Sequence, residues 1–315
     1  MPDTPELSEA RRALLEKSLR GERPLTPTNK DALTQHTQES LAPPAPTDSR
    51  VSLIPVQTGG HKRPFFYVHV HWRFGAFYCF PLSQYLGSDQ PFYMLDPYNF
   101  DGLPVPPTLE IMATAYIESM RAVQPEGPYL LGGFCGGGVI AFEIAQQLRA
   151  KGQVVDLLVL LEPGAGPAPL KLIGPRLAGS FIRSIGALLR LDLAKQLDWF
   201  LRLRHVYMLR HSEYRNSQGF SLVPTVEALR RDWLGIFVWV ISDYIPRYYP
   251  GKMTYFWANE EPGNHRAMGG KVARAEKVEI HFIPGTHKTC VTDYLYDLAK
   301  ELRACLSKPQ AAASR

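Results

Sequence analysis

The chain has 315 residues, 45% of them hydrophobic and 21% charged, which leaves room for one large core or two small ones in an ordinary globular composition. A formal charge of +5 comes with no Lys/Arg run and no basic stripe threaded with aromatics, which argues against a nucleic-acid partner. Cys79, Cys135, Cys290 and Cys305 are widely spaced without a C-x-x-C pair, so neither a disulfide framework nor a metal site is expected, and a reducing cytoplasm suits them.

The first 50 residues differ from the rest. Residues 8–21 (SEARRALLEKSLRG) pattern as a short amphipathic helix capped by Ser8 and stopped by Gly21. Residues 22–50, rich in Pro, Thr, Gln and Asp without apolar periodicity, read as a flexible tether. The leading residues carry no basic-then-apolar signal region. The longest apolar run, residues 234–241, is far short of a membrane span. Neither secretion nor membrane insertion is expected of the domain that occupies residues 51–315.

Within that domain strand-like and helix-like segments alternate. Residues 64–70 and 91–95 are strand candidates, followed by a helix over 111–123, a strand over 128–132 and a helix over 139–150. The nearly unbroken apolar run at 155–161 has the pattern of a strand covered on both faces. Strands resume over 252–257 and 278–283, and a helix over 294–306 closes the pattern. This alternation predicts an α/β fold, a mostly parallel central sheet with helices on both faces. Between residues 164 and 250 the rhythm breaks. Apolar residues such as Leu177, Phe181, Ile185 and Leu188 recur there at helical spacing, joined by Trp199, Trp233, Phe237 and Trp239. A helical lid over the active site is expected, with a helical subdomain remote from substrate as the plain alternative.

Gly133-Phe134-Cys135-Gly136-Gly137 joins the strand over 128–132 to the helix over 139–150. A G-x-[S/C]-x-G pentapeptide at a strand-to-helix junction is the nucleophile-elbow signature of α/β-hydrolases. The turn is so sharp that only small residues fit beside its central one. Serine is usual at the centre, and here it is cysteine. Its sulfur is expected at the exposed, positive end of the next helix, a suitable place for a nucleophile. Among nine histidines, His287 is best placed as its base. It lies just past the last strand, and the fold orders nucleophile, acid, histidine along the chain. Glu162, directly after the run at 155–161, is the favoured acid, with Glu260 and Glu261 as the alternative. Backbone N–H groups of Gly136 and of the loop at Val70 and His71 are expected to form the oxyanion hole. Trp72, Trp233 and Phe237 are candidate substrate contacts. His69 is read with His71 as shaping the pocket, and His265 and His281 as ordinary.

With those residues in place, residues 51–306 resemble the thioesterase domains of nonribosomal peptide and polyketide synthases. The stretches Ser88-Asp89-Gln90-Pro91-Phe92-Tyr93, Gln124-Pro125-Glu126-Gly127-Pro128-Tyr129 and Ala141-Phe142-Glu143-Ile144-Ala145-Gln146-Gln147-Leu148 carry the likeness. Residues 8–17 resemble helices at module junctions of such synthases. The resemblance implies an α/β-hydrolase fold with a helical lid, and a substrate held as a thioester on the phosphopantetheine of an acyl or peptidyl carrier protein or synthase module. It implies no further cofactor. Cys135 takes the nucleophile position, His287 that of the general base, and Glu162 stands where the family has aspartate. Besides these two replacements, His69-Val70-His71-Trp72-Arg73-Phe74-Gly75 stands where the family reads His-Pro-x-Gly-Gly.

The cysteine has a chemical consequence. Moving an acyl group from pantetheine sulfur to Cys135 sulfur exchanges one thioester for another, so the acyl-enzyme stays activated toward water, amines and thiols. Hydrolytic release and transfer, including aminoacyl shuttling between carrier proteins, both fit this chemistry. A dienelactone-hydrolase-like cysteine hydrolase is a second reading, which the long insertion and synthase-like N-terminus oppose. A non-catalytic carrier-protein docking module is a third.

Overall fold

The computed structural model describes residues 50–70, 77–162, 170–211, 224–260 and 275–313. The short helix and tether expected over residues 1–50 fall almost entirely outside the described residues. The first half runs β1 (Leu53–Gln57), β2 (Phe65–Val68), α1 (Cys79–Leu86), β3 (Phe92–Leu95), α2 (Leu109–Val123), β4 (Tyr129–Phe134), α3 (Gly136–Ala150) and β5 (Val155–Leu161). The insertion supplies α4 (Leu170–Leu188), α5 (Leu193–His211), α6 (Val226–Leu229) and α7 (Trp233–Ser242). β6 (Tyr249–Ala258), β7 (Ala275–Ile283) and α8 (Leu295–Ala313) complete the order. The insertion ends earlier than residue 250, because Tyr249 already pairs with Ala275 in the sheet.

Seven strands lie in the order β1-β3-β2-β4-β5-β6-β7, and only the β1–β3 pair is antiparallel. The α/β architecture expected from the alternation is the one observed. Side-chain alternation along β5 shows why its sequence is apolar from Leu157 to Leu161. Leu158 and Leu160 enter the core beneath α2 and α3, while Leu157, Val159 and Leu161 enter the core beneath α1 and α8. Each fully buried leucine contributes about 1.5–3 kcal/mol over an exposed one.

The insertion is built onto the first of these cores. Helix α7 is apolar all round because it is buried from Gly235 to Ile241. Asp232 caps it, accepting the Gly235 N–H at 3.0 Å, and the same carboxylate accepts from Arg204 Nε at 2.8 Å. Arg230 ties α5 to the loop before α2, donating to Asp198 at 2.9 Å and to the Pro104 carbonyl at 2.7 Å.

Candidate active site

Strands β4, β5 and β7 end at one edge of the sheet, the edge where parallel α/β sheets place their ligands. Phe134 pairs with Leu161 at that edge, so the next residues, Cys135 and Glu162, emerge side by side.

Cys135 has φ +54° and ψ −120°, a left-handed conformation that costs a non-glycine residue about 1–3 kcal/mol. Its neighbours show what holds it there. A methyl group on Gly133 would lie 2.3 Å from the Gly137 carbonyl oxygen, and one on Gly137 would lie 2.2 Å from that of Val68. Only glycine lets α3 approach β2 and β4 so closely. The Cys135 N–H donates to Leu161 O at 2.9 Å, fastening the turn to the end of β5. Cys135 is partly exposed, whereas the three other cysteines are buried free thiols.

Glu162 also has positive φ (+42°) and is buried. Its Oε1 accepts the Ala258 N–H at 2.5 Å, at the end of β6, and its Oε2 lies 3.3 Å from His287 Nδ1. The imidazole stacks on Phe134, with ring centroids 4.8 Å apart. Behind it, Cys290 Sγ donates to the His287 carbonyl at 3.5 Å. Burial alone would lower the pKa of His287. A hydrogen bond with the Cys135 side chain and another with Glu162 outweigh burial and raise it to about 10. Both side chains thus favour the charged form of the ring.

The structure thus brings Cys135, His287 and Glu162 together. Glu260 is exposed, and its N–H donates to Gly285 O at 3.0 Å, so its backbone braces the histidine loop while Glu162 supplies the carboxylate. Val70 is buried against Gly136, since a methyl on Gly136 would lie 2.9 Å from Val70 Cγ2 and 2.7 Å from the Phe237 ring. Trp233 is partly buried and packs against the core that contains Phe237. His71, Trp72, Glu261 and His265 lie outside the described residues.

His69 is buried, its Nε2 4.0 Å from Asp96 Oδ1 and its ring against Tyr78. Its backbone N–H donates to Leu95 O at 3.1 Å, which holds this residue against the end of β3. His281 sits between Glu279 and Glu301, each at 3.3 Å. Sequence reasoning missed the Ala258 N–H, the Cys290 thiol and the stacking of Phe134. The aromatic residue inside the elbow pentapeptide was the one available signal. Among the described residues no group of His, Cys, Asp and Glu side chains is arranged to hold a metal, and no helix is long and apolar enough to cross a membrane.

The thioesterase domain family model matches residues 68–306. Atromentin synthetase of Tapinella panuoides is 35% identical over 111 residues, which cover 35% of this chain and 11% of that protein. The dimodular nonribosomal peptide synthase of Bacillus subtilis (strain 168) is 39% identical over 112 residues, 35% of this chain and 5% of that protein. The match therefore spans only a small part of these much longer relatives. Among solved structures, the NocB thioesterase domain in covalent complex with a fluorophosphonate nocardicin G analog is 26% identical, with a TM-score of 0.54 over 81% of this chain and 99% of that one. With the family model covering most of its length and the sheet in this order, the chain belongs to the thioesterase domain family.

Proposed function

We propose that this chain takes an acyl or peptidyl group from a carrier-protein phosphopantetheine thioester onto Cys135 and passes it to water, an amine or a thiol. The observation that carries this reading is the strained Cys135 turn beside an imidazole anchored by buried Glu162. An imidazolium stabilises a neighbouring thiolate. In this reading the sulfur attacks the thioester carbonyl, and the Gly136 N–H at the start of α3 supports the oxyanion. The carbon–sulfur bond to pantetheine then breaks, and His287 gives its proton to the departing sulfur.

Acylation removes one of the partners that raise the pKa of His287. The neutral imidazole is then better suited to accept a proton from the incoming water, amine or thiol as Cys135 leaves. Glu162 orients the ring and stabilises its charged form in both halves. The covalent complex of the NocB domain is in keeping with a covalent intermediate here. A carrier protein or synthase module is the implied partner, in a cytoplasm that keeps the thiol reduced.

Incubation with acyl-pantetheine thioesters, followed by intact mass, tests the reading. An adduct on wild type that is lost in Cys135→Ala is expected. Rapid decay in buffer identifies a hydrolase, while decay only on adding amine or holo carrier protein identifies a transferase. Undiminished turnover by Cys135→Ala, with no adduct on wild type, would refute the covalent route.

A further inference from the structure

We propose that Phe237 selects acyl groups that are unbranched or planar at the carbon next to the thioester carbonyl. This inference rests on the covalent route through Cys135. Its basis is the position of one ring. Phe237 is 2% exposed and lies flush on Gly136, where an added methyl would meet its Cε1 at 2.7 Å and its Cδ1 at 3.4 Å. Val70 Cγ2 crowds the same position, at 2.9 Å from it.

The N–H of Gly136 is the donor expected to hold the tetrahedral oxygen, one bond from the carbon these two side chains cover. The carbon attached to the reacting carbonyl must therefore pass close to the Phe237 ring. A flat or single-file substituent fits beside it, and a carbon bearing two or three bulky branches meets the ring edge. The ring is also poorly placed to yield, because α7 is held at both its start and its middle. Asp232 caps its first turn and bonds Arg204, while the Arg183 guanidinium lies 3.8 Å over the Trp239 ring and donates to the Trp239 carbonyl at 3.0 Å.

The test compares loading of Cys135 by n-butyryl- and pivaloyl-pantetheine, followed by intact mass, in wild type, Phe237→Leu and Phe237→Ala. The slower intrinsic chemistry of the pivaloyl ester is common to all three proteins and cancels. The butyryl-to-pivaloyl rate ratio is expected to shrink by about tenfold or more in Phe237→Ala, as removal of a few methylene-sized groups from a pocket allows. Phe237→Leu, which keeps the core filled, should fall between. An unchanged ratio in both variants, with butyryl loading retained, would overturn the selection by Phe237 and leave the covalent route standing. Absence of loading by either ester on wild type would overturn both.

Discussion

At His287 three influences compete for one proton. Burial works against the charged ring, while the Cys135 and Glu162 side chains favour it, and the outcome is a pKa near 10 against an ordinary 6.5. The sign of the linked stability follows. A folded value above the unfolded one stabilises the fold fully below about pH 6.5 and loses that contribution as pH rises toward 10. In Cys135→Ala one of the two favouring partners is gone, so the imidazole should titrate well below the wild-type midpoint when followed by NMR of its ring protons. The wild-type melting temperature should also fall more steeply between pH 7 and 10 than that of the variant, since its extra proton is released across this range. Equal midpoints in the two proteins would show that the sulfur does not act on this ring.

The elbow makes its demand at the scale of two elements meeting. Gly133→Ala places a methyl 2.3 Å from the Gly137 carbonyl oxygen and 2.7 Å from the Gly138 nitrogen, both rigid backbone atoms. Urea unfolding is expected to show a loss of about 1–3 kcal/mol, the usual consequence of overpacking. Gly59→Ala, whose added methyl finds only a carbonyl at 3.9 Å, should change stability by less than about 0.5 kcal/mol. Similar losses in both would remove close approach as the reason for glycine in the motif.

The same steric rule made the elbow legible as a sequence, because it restricts residue types over five consecutive positions. β5 was legible residue for residue, since a strand buried on both faces cannot disguise itself with polar alternation. β1 was not. It is a half-exposed edge strand with Pro55 inside it, paired antiparallel to β3 through an irregular register. α1 was hidden by Pro81 in its first turn, a position that proline tolerates and that resembles a loop on paper. At the site, chain order pointed to Cys135, Glu162 and His287 as neighbours, because three strands end at a common edge. The Ala258 N–H on Glu162 and the Cys290 thiol behind His287 come from strand pairing and packing, which no local pattern encodes.

For the whole molecule, the question is whether the insertion melts as a separate lid or unfolds with the sheet. The packing answers for the second. Ile182, Leu197, Phe200, Leu201 and Trp239 of the insertion belong to the same buried cluster as Tyr116 and Met120 of α2, Ile140 and Ile144 of α3, and Leu158 of β5. Phe200 is 1% exposed, with its ring 5.4 Å from that of Trp239. Truncating it leaves a cavity inside the buried cluster that joins the insertion to α2, α3 and β5. Phe200→Ala should therefore lower global stability by about 3–5 kcal/mol. All five tryptophans remain in that variant as reporters. Their fluorescence and the far-UV circular dichroism should lose signal at the same urea concentration, shifted downward together from wild type. A fluorescence transition that moves alone, ahead of an unshifted loss of sheet and helix signal, would instead mark the insertion as a unit that opens by itself, and the ring of Phe237 would then ride on a movable element.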